Sequence, residues 1–582
     1  MNEEAVFSSR PATNEIAIGA DDLITLDAGE VRRRQVESHA ADQQTDSMLL
    51  LVEALADPDW RVRRDAASAL AGDGDGQFDP TELLCALLAS ENAGARNAAI
   101  KTLIKRGPDS VPALLGELQA SDADVRNFAC VALGQIGDSR AVEPLCATST
   151  DDSDDNVRYT ALEALGRIGD ARATAALITH LDEEPWLAAV AAESLGLIGG
   201  ADALQALIGK LTEDPVGLVA AESLGMLDDP RALLPLVQTA SRCSPLLGVP
   251  ALRSVGRIVG SASTGTAAVI DIIRPIATEM ANATLMESLD MALKEPDESK
   301  EWALNAAVWL APVELASSVC GAADAPEHAP LAVDFLVQQF DAVRSEVTRA
   351  AASDRPSVRA VAAMAIERGG DERDLPIIIE LLHDENQSVS IAAIEALARV
   401  GGIDEAERLI RLFHSGIDEV VFAAADALGV LGVADLTEDL IDLAENGGPV
   451  VRRAVARALC AAQPDADDAD ITRCLLTLAR DSDPRVRSDI APALGQTTNV
   501  EAISALLVLS LDEDRDVRLS AIRTLGQRAE PAARRALRGA TADESRSIRA
   551  AAARGLVADL GAEDLPLALS LLEDPDPGTV IA

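Results

Sequence analysis

Residues 122–145 read DADVRNFACVALGQIGDSRAVEPL, and residues 154–177 read DDNVRYTALEALGRIGDARATAAL. Both open on an acidic turn, pass through Val-Arg, carry Ala at helical spacing, reach Leu-Gly-x-Ile-Gly-Asp and enter a second apolar stretch. Self-similarity at such a period marks one small unit that cannot bury its apolar face alone and does so by stacking on its neighbours. With the Val taken as an anchor (position 0) and a Leu-type residue at position 8, the pattern falls at Val62, Ala95, Val125, Val157, Leu187, Val216 and Leu247. It resumes at Val358, Val389, Val420, Val451, Val486, Val517 and Ile548, with a weaker copy near Trp302. Neighbouring anchors within each run are 29 to 35 residues apart.

Each unit reads as two helices. In the second, apolar residues at positions 0, 4, 7 and 8 form one stripe at a 3.6-residue period. A Gly at position 9 or slightly later, as in Gly134, Gly166 and Gly526, is expected to supply a left-handed C-terminal stop. Acidic or Pro-bearing turns such as DPDW, DSDPRVR and DEDRDVR precede this helix and suit its N-cap. The other helix, for instance AISALLVLSL after Glu501, carries its own Leu-rich stripe, and Ala at positions 4 and 7 lets the helices approach closely. The fold expected is an all-α solenoid of about fifteen two-helix units.

These motifs resemble the HEAT-repeat superfamily, in particular the short HEAT-like repeats of the phycobilin lyase type. The resemblance spans residues 48–575, with a divergent middle, and implies a superhelix whose second helices line the concave face. It divides the chain into an N-terminal extension (1–47), repeats (48–260), a divergent helical middle (261–340) and further repeats (341–582). The extension is expected to be partly disordered or to cap the first repeat, with IAIGADDLITLD forming a short strand pair. The middle, which contains TEMANATLMESLDMALKEPDESKEWALNAAVWLAP, reads either as a hinge or as drifted repeats.

Hydrophobic residues make up 48% of the chain but aromatics only 2%, so the core is built from Ala, Leu, Val and Ile. Collagen and wholesale disorder are excluded, and an ordinary all-β sandwich is disfavoured. Asp and Glu number 96 against 50 Lys plus Arg, for a net charge of −46, and the five Lys are Lys101, Lys105, Lys210, Lys294 and Lys300. This acidic, Lys-poor composition is similar to that of proteins from salt-loving archaea, where concentrated salt screens self-repulsion. It argues against nucleic-acid binding, which needs a cationic footprint. The start, MNEEAVFSSRPATNEIAIGADD, lacks a secretory layout, and no run of 18 uncharged apolar residues exists to span a membrane. The scattered cysteines Cys85, Cys130, Cys146, Cys243, Cys320, Cys460 and Cys474 read as small core residues in a reducing cytoplasm.

The Arg at position 1 recurs as Arg63, Arg126, Arg158, Arg359, Arg452, Arg487, Arg518 and Arg549. The resemblance implies that it bonds an acidic residue in the turn of an adjacent repeat, an Arg–Asp ladder that the acidic turns here fit. Some HEAT-like proteins are iron hydroxylases using His-Glu pairs, but none of His39, His180, His328, His383 and His414 precedes a Glu. No phosphate-binding loop, nucleophile elbow or H-E-x-x-H helix is present. The loop AGDGDGQFDPTE (71–82) sets Asp73, Asp75, Asp79 and Glu82 at calcium-loop positions 3, 5, 9 and 12. Position 1, however, is Ala71, and a solvated turn is the simpler reading. DDSDDN (151–156) reads the same way.

At 100° per residue, positions 2 and 6 of the second helix point away from the apolar stripe. Position 6 holds Glu163, Glu193 and Glu222, later Glu395 and Asp426, then Arg457, Pro492, Arg523 and Arg554. Position 2 adds Tyr159, Leu218, Ile391, Phe422 and Leu519 as candidate anchors. Residues 450–560 hold 17 Arg and 16 Asp plus Glu, a net of +1 that leaves −47 for the rest. That contrast makes Arg457, Arg523 and Arg554 candidates for docking an acidic partner. The function expected is a non-catalytic cytoplasmic scaffold or adaptor for other proteins, without cofactor. The resemblance adds taxis and motility signalling proteins as partners, through HEAT-like proteins of haloarchaea. The alternative it implies is a lyase-type enzyme or subunit acting on a tetrapyrrole or a protein.

Overall fold

The computed structural model describes all residues except 1–27, 42–44, 72–78, 213–214, 296–299, 433–436, 463–468 and 558–582. The described residues form α-helices, short 3-10 turns and loops, with no strand among them. The segment IAIGADDLITLD lies outside the described residues. Residues 28–41 of the extension form the helix Ala28–Ala41, which packs on Trp60–Leu70 as one repeat packs on the next.

The chain divides into two units, Met1–Ala292 and Leu293–Ala582, and the division falls inside the helix Ala283–Lys294 of the divergent middle. In the first unit the second helices form one row: Trp60–Leu70, Ala93–Arg106, Ala123–Ile136, Asp155–Ile168, Pro185–Ile198, Val216–Leu227 and Pro245–Gly260. Each packs against the next, and a shorter helix such as Val142–Asp151 backs each of them. The second unit repeats the arrangement with Pro356–Gly369, Gln387–Val400, Asp418–Leu431, Pro449–Ala462, Pro484–Gln496, Arg515–Leu525 and Arg546–Val557. The molecule is an all-α solenoid.

The repeat pattern explains this packing residue by residue. Val157, Ala161, Ala164 and Leu165, at positions 0, 4, 7 and 8, are all buried. A fully buried Val or Leu contributes roughly 1.5–3 kcal/mol. The acidic turns cap these helices: the Asp154 carboxylate accepts from the Asn156 N–H at 2.9 Å, and Asp122, Asp483 and Asp514 act alike. A second set of Asp residues caps the short turns that open the backing helices. Asp138 and Asp170 each bind the Arg two residues on, and those bonds hold their carboxyls at about 2.

The position-9 glycines are not left-handed helix stops. Gly134 and Gly166 lie inside Ala123–Ile136 and Asp155–Ile168, and Gly526 ends its helix at φ −64°. The left-handed stops fall three residues beyond Gly134 and Gly166, at Gly137 (φ +74°) and Gly169 (φ +72°). Position 9 instead lets one repeat touch the next. A Cβ on Gly134 would sit 2.8 Å from Ala164 Cα, and one on Gly166 would sit 2.5 Å from Ser194 Oγ and 2.8 Å from Ser194 Cα. Gly196 against Ser223 and Gly225 against Ser254 continue the row. Each glycine thus meets the small residue at position 7 of the following repeat.

Candidate interaction surface

Six of the position-1 arginines link successive repeats. Arg126 donates from Nε and Nη2 to Asp152 at 2.7 and 2.8 Å, and from Nη1 to the Ala120 carbonyl at 2.9 Å. One guanidinium therefore ties the turn before its own helix to the turn before the next. The same geometry joins Arg359 to Asp384 and Ser353, Arg487 to Asp512 and Asp481, and Arg518 to Asp543 and Asp512. Arg452 does so with Asp481 and Gly447, and Arg158 with Glu183 and the Ser149 carbonyl. Arg63 and Arg549 bind the carbonyls of their own turns. Arg32, bound to Asp57 at 2.7 Å, is a further member from the N-terminal extension.

On the other face of the second helices, Tyr159 and Trp186 stack with ring centroids 5.9 Å apart, and both stay more than a third exposed. Glu163 binds Arg167, its neighbour one turn on, at 2.6 Å. Glu193 and Glu222 are exposed and hold no ion pair among the described residues.

In the second unit a groove of about 600 Å³ runs over Pro356–Gly369, Gln387–Val400 and Asp418–Leu431. Ile391, Phe422, Ala423 and Val430 form its apolar part, and Val430 is 71% exposed. The carboxylates of Glu367, Glu395, Glu419 and Asp426 line it as well. Partial desolvation and the nearby Glu367 carboxylate push the Glu395 carboxyl above its ordinary range. At the far end, Arg457 binds Asp426 and lies 5.0 Å from the centroid of the Phe422 ring. Arg453 reaches the same ring at 5.0 Å and pairs with Asp489 at 2.8 Å.

Of the charged candidates, Arg457 is thus occupied within its own chain, whereas Arg523 and Arg554 stand exposed without an ion pair among the described residues. Tyr159, Glu163, Glu193 and Glu222 belong to the first unit, and Phe422, Arg457, Arg523 and Arg554 to the second. Counting only positions 2 and 6 passes over Glu367, Glu419, Val430 and Trp186, at positions 9, −1, 10 and −1 of their helices. At 100° per residue these fall in the same arc, so the helical wheel carried the signal.

No group of His, Cys, Asp or Glu among the described residues is placed to hold a metal ion. Asp73 and Asp75 lie outside the described residues. Asp79 is engaged otherwise: it accepts from the Thr81 N–H at 3.0 Å and pairs with Arg106 at 2.9 Å. One constellation has the order of a hydrolytic triad: His180 Nε2 lies 3.2 Å from Ser149 Oγ, and Nδ1 lies 3.0 Å from Glu183. Ser149 and His180 are sealed in the core, and the Ser149 hydroxyl donates to the Cys146 carbonyl at 2.9 Å. No substrate carbonyl reaches it, so the cluster joins two backing helices. The seven cysteines are free, and burial pushes Cys85, Cys130, Cys320 and Cys474 up to about 12, where the reactive thiolate is not available.

A stacked row of two-helix repeats with an Arg–Asp ladder defines the class, an α-solenoid of the kind whose open faces are typical of protein-interaction scaffolds. The family model described as HEAT repeats matches residues 80–165, 111–196, 142–227, 345–429, 437–511 and 506–582, together more than half of the chain, and the chain belongs to that family. No curated protein matches it. Among solved structures, a chain from the structure of Kap95p with RanGDP aligns over 90% of this chain and 75% of its own, with 13% identity and a TM-score of 0.46. A chain from the complex of CpcE and CpcF of phycocyanin lyase from Nostoc sp. PCC7120 aligns over 40% of this chain and 91% of its own, with 21% identity and a TM-score of 0.25. Neither likeness is close enough to bear on what this chain binds. No helix among the described residues is long and apolar enough to cross a membrane.

Proposed function

We propose that this protein is a non-catalytic scaffold that holds other proteins on the exposed face of its second helices. The observation that carries this reading is the groove over residues 367–430, where apolar side chains lie open beside carboxylates. Exposed apolar residues ringed by polar ones are what an interaction site requires. The groove is open rather than enclosed, and it brings together no nucleophile with a base. Seven free thiols fit a reducing compartment, and we place the protein in the cytoplasm on that ground. Arg523 and Arg554 supply a second, cationic patch for an acidic partner.

The test is site-specific photo-cross-linking in native lysate at high salt. A benzophenone side chain at Ala423, in the groove, is compared with one at Val508, exposed on the backing helix Val500–Leu509. A defined protein captured from Ala423 and not from Val508 is the expected result. Equal capture from both positions, or none from either, overturns the reading. Loss of a captured partner in an Arg523→Glu, Arg554→Glu variant would assign that partner to the cationic patch instead.

A further inference from the structure

We infer that the groove over Pro356–Gly369, Gln387–Val400 and Asp418–Leu431 receives a cationic amphipathic helix, and that Arg457 is an internal competitor for its Arg-binding end. The inference rests on the scaffold reading and names the kind of partner. Four carboxylates line the groove, from Glu367, Glu395, Glu419 and Asp426, while Ile391, Phe422 and Val430 present apolar surface between them. A segment with Arg or Lys on one side and Leu-type residues on the other matches that layout, in the helix-in-groove mode that reads anchors at successive turns. Complementary charge orients such a segment, and the apolar contacts hold it.

The second observation is independent of the carboxylates' number. The chain already shows how the groove holds a guanidinium: Arg457 lies over the Phe422 ring at 5.0 Å while binding Asp426. Stacking on an aromatic face combined with a carboxylate pair is the interaction that a partner arginine would make. Both Arg457 and Asp426 are substantially exposed, with side chains 40% and 54% accessible, so an incoming arginine can take the place of Arg457. The rest of the groove holds no such internal cation among the described residues. Glu395 has Glu367 beside it, and Glu419 is exposed without an ion pair among the described residues.

A chain of net charge −46 attracts every cationic peptide to some degree, so binding alone decides nothing. The probe is a synthetic 18-residue helical peptide with Arg and Leu on adjoining faces. A scrambled peptide of the same composition and a Glu-for-Arg version serve as references. Binding to the full chain is followed by fluorescence anisotropy at low and high KCl.

The amphipathic peptide is expected to bind about tenfold or more tightly than the scramble, and the difference to persist in salt, because apolar attraction is not screened. A Glu367→Gln, Glu395→Gln variant, altered only at the surface, should weaken it about fivefold or more and leave the scramble unchanged. Arg457→Ala should tighten it about threefold or more by freeing Asp426 and the part of the Phe422 ring that Arg457 covers. Phe422→Ser should weaken it, and circular dichroism establishes that the variant folds. Equal binding of the two cationic peptides, tighter binding of the acidic one, indifference to the Glu variants, or weaker binding by Arg457→Ala overturns the inference. A partner cross-linked from Ala423 that carries no cationic helix sinks this inference and leaves the scaffold reading standing. Failure of both experiments sinks both.

Discussion

Replacing Gly166 by Ala tests how the repeats fit together. If position 9 were only a helix stop, a Cβ there would meet nothing and the change would favour the helix by up to about 1 kcal/mol. The structure puts that Cβ 2.5 Å from Ser194 Oγ, 2.7 Å from its Cβ and 2.8 Å from its Cα. The hydroxyl can rotate away only by giving up its bond to the Leu162 carbonyl at 2.9 Å, and the Cα belongs to the Pro185–Ile198 backbone and moves only if two repeats separate. Overpacking costs about 1–3 kcal/mol, and a clash with backbone falls in the upper part of that range, about 2–3 kcal/mol, so after the helix-propensity gain the net loss is about 1–2 kcal/mol. Gly209, in Ala201–Lys210, is the control: its Cβ would meet nothing within 4 Å, and Gly209→Ala should be neutral or stabilising. A long repeat array does not unfold in two states, so the readout is hydrogen exchange in peptides covering 155–168 and 185–198. Gly166→Ala should reduce protection there about 5- to 30-fold, the factor that 1–2 kcal/mol represents. Ser194→Gly in the same chain should restore only part of it, since the backbone at 194 still crowds the added methyl group. Gly166→Ala raising protection as Gly209→Ala does would refute the close-approach account.

Arg126→Ala should loosen the junction between its repeat and the next by about 3 kcal/mol, because Asp152, only 6% exposed beneath the guanidinium, loses its bidentate partner; Arg126→Lys should recover only part, both read by exchange in 123–136 and 155–168. The Arg126 guanidinium holds Asp152 below the ordinary carboxylate range of 3.8. Its contribution is therefore complete above that value and lost as pH falls through the lower folded one, and Arg126→Ala should flatten the acid limb. His180 is shifted downward from 6.5 because burial outweighs the opposing Glu183, with Arg158 adding to the burial effect. Between the lowered value and 6.5 the unfolded chain binds more protons, so stability is full above 6.5 and falls as pH drops below it; a His180→Gln variant with an unchanged slope there would refute this. Thermal unfolding between 0.1 and 2 M KCl should shift upward, since a net charge of −46 repels itself and the Debye length shrinks to roughly 3 Å at 1 M; a flat or falling midpoint would show the charge to be locally paired.

The repeat was legible because its signal is periodic and redundant: Val-Arg, the Ala positions and the Leu at position 8 recur too often to be mistaken for isolated helices. The glycines were misread for a physical reason. A residue that must lack a Cβ for backbone approach and one that must adopt positive φ are the same letter, and only the spacing to Gly137 and Gly169 separates them. Arg32 follows Val31, one period before Val62, but the phase was not carried back into the extension. The groove was half legible. Positions 2 and 6 yielded Ile391, Glu395, Phe422 and Asp426, whereas Glu367, Glu419 and Val430 needed the whole arc.

A count of charges along the sequence also differs from the charge a surface presents. Residues 450–560 are nearly neutral, which suggests a cationic surface in an acidic molecule. Pairing occupies several of those arginines: Asp481, Asp512 and Asp543 engage Arg452, Arg487 and Arg518, Asp489 engages Arg453, and Glu530 engages Arg528. Arg457 is engaged by Asp426, a residue of the preceding repeat and outside the counted stretch. What is left on the second-helix face there, without an ion pair among the described residues, is Arg485, Arg523 and Arg554. On the preceding repeats, Glu367, Glu395 and Glu419 have no ion pair among the described residues and lie beside open apolar side chains. The groove itself is therefore lined by negative charge, and Arg457 marks its edge as the point where the chain's own cation begins to satisfy it.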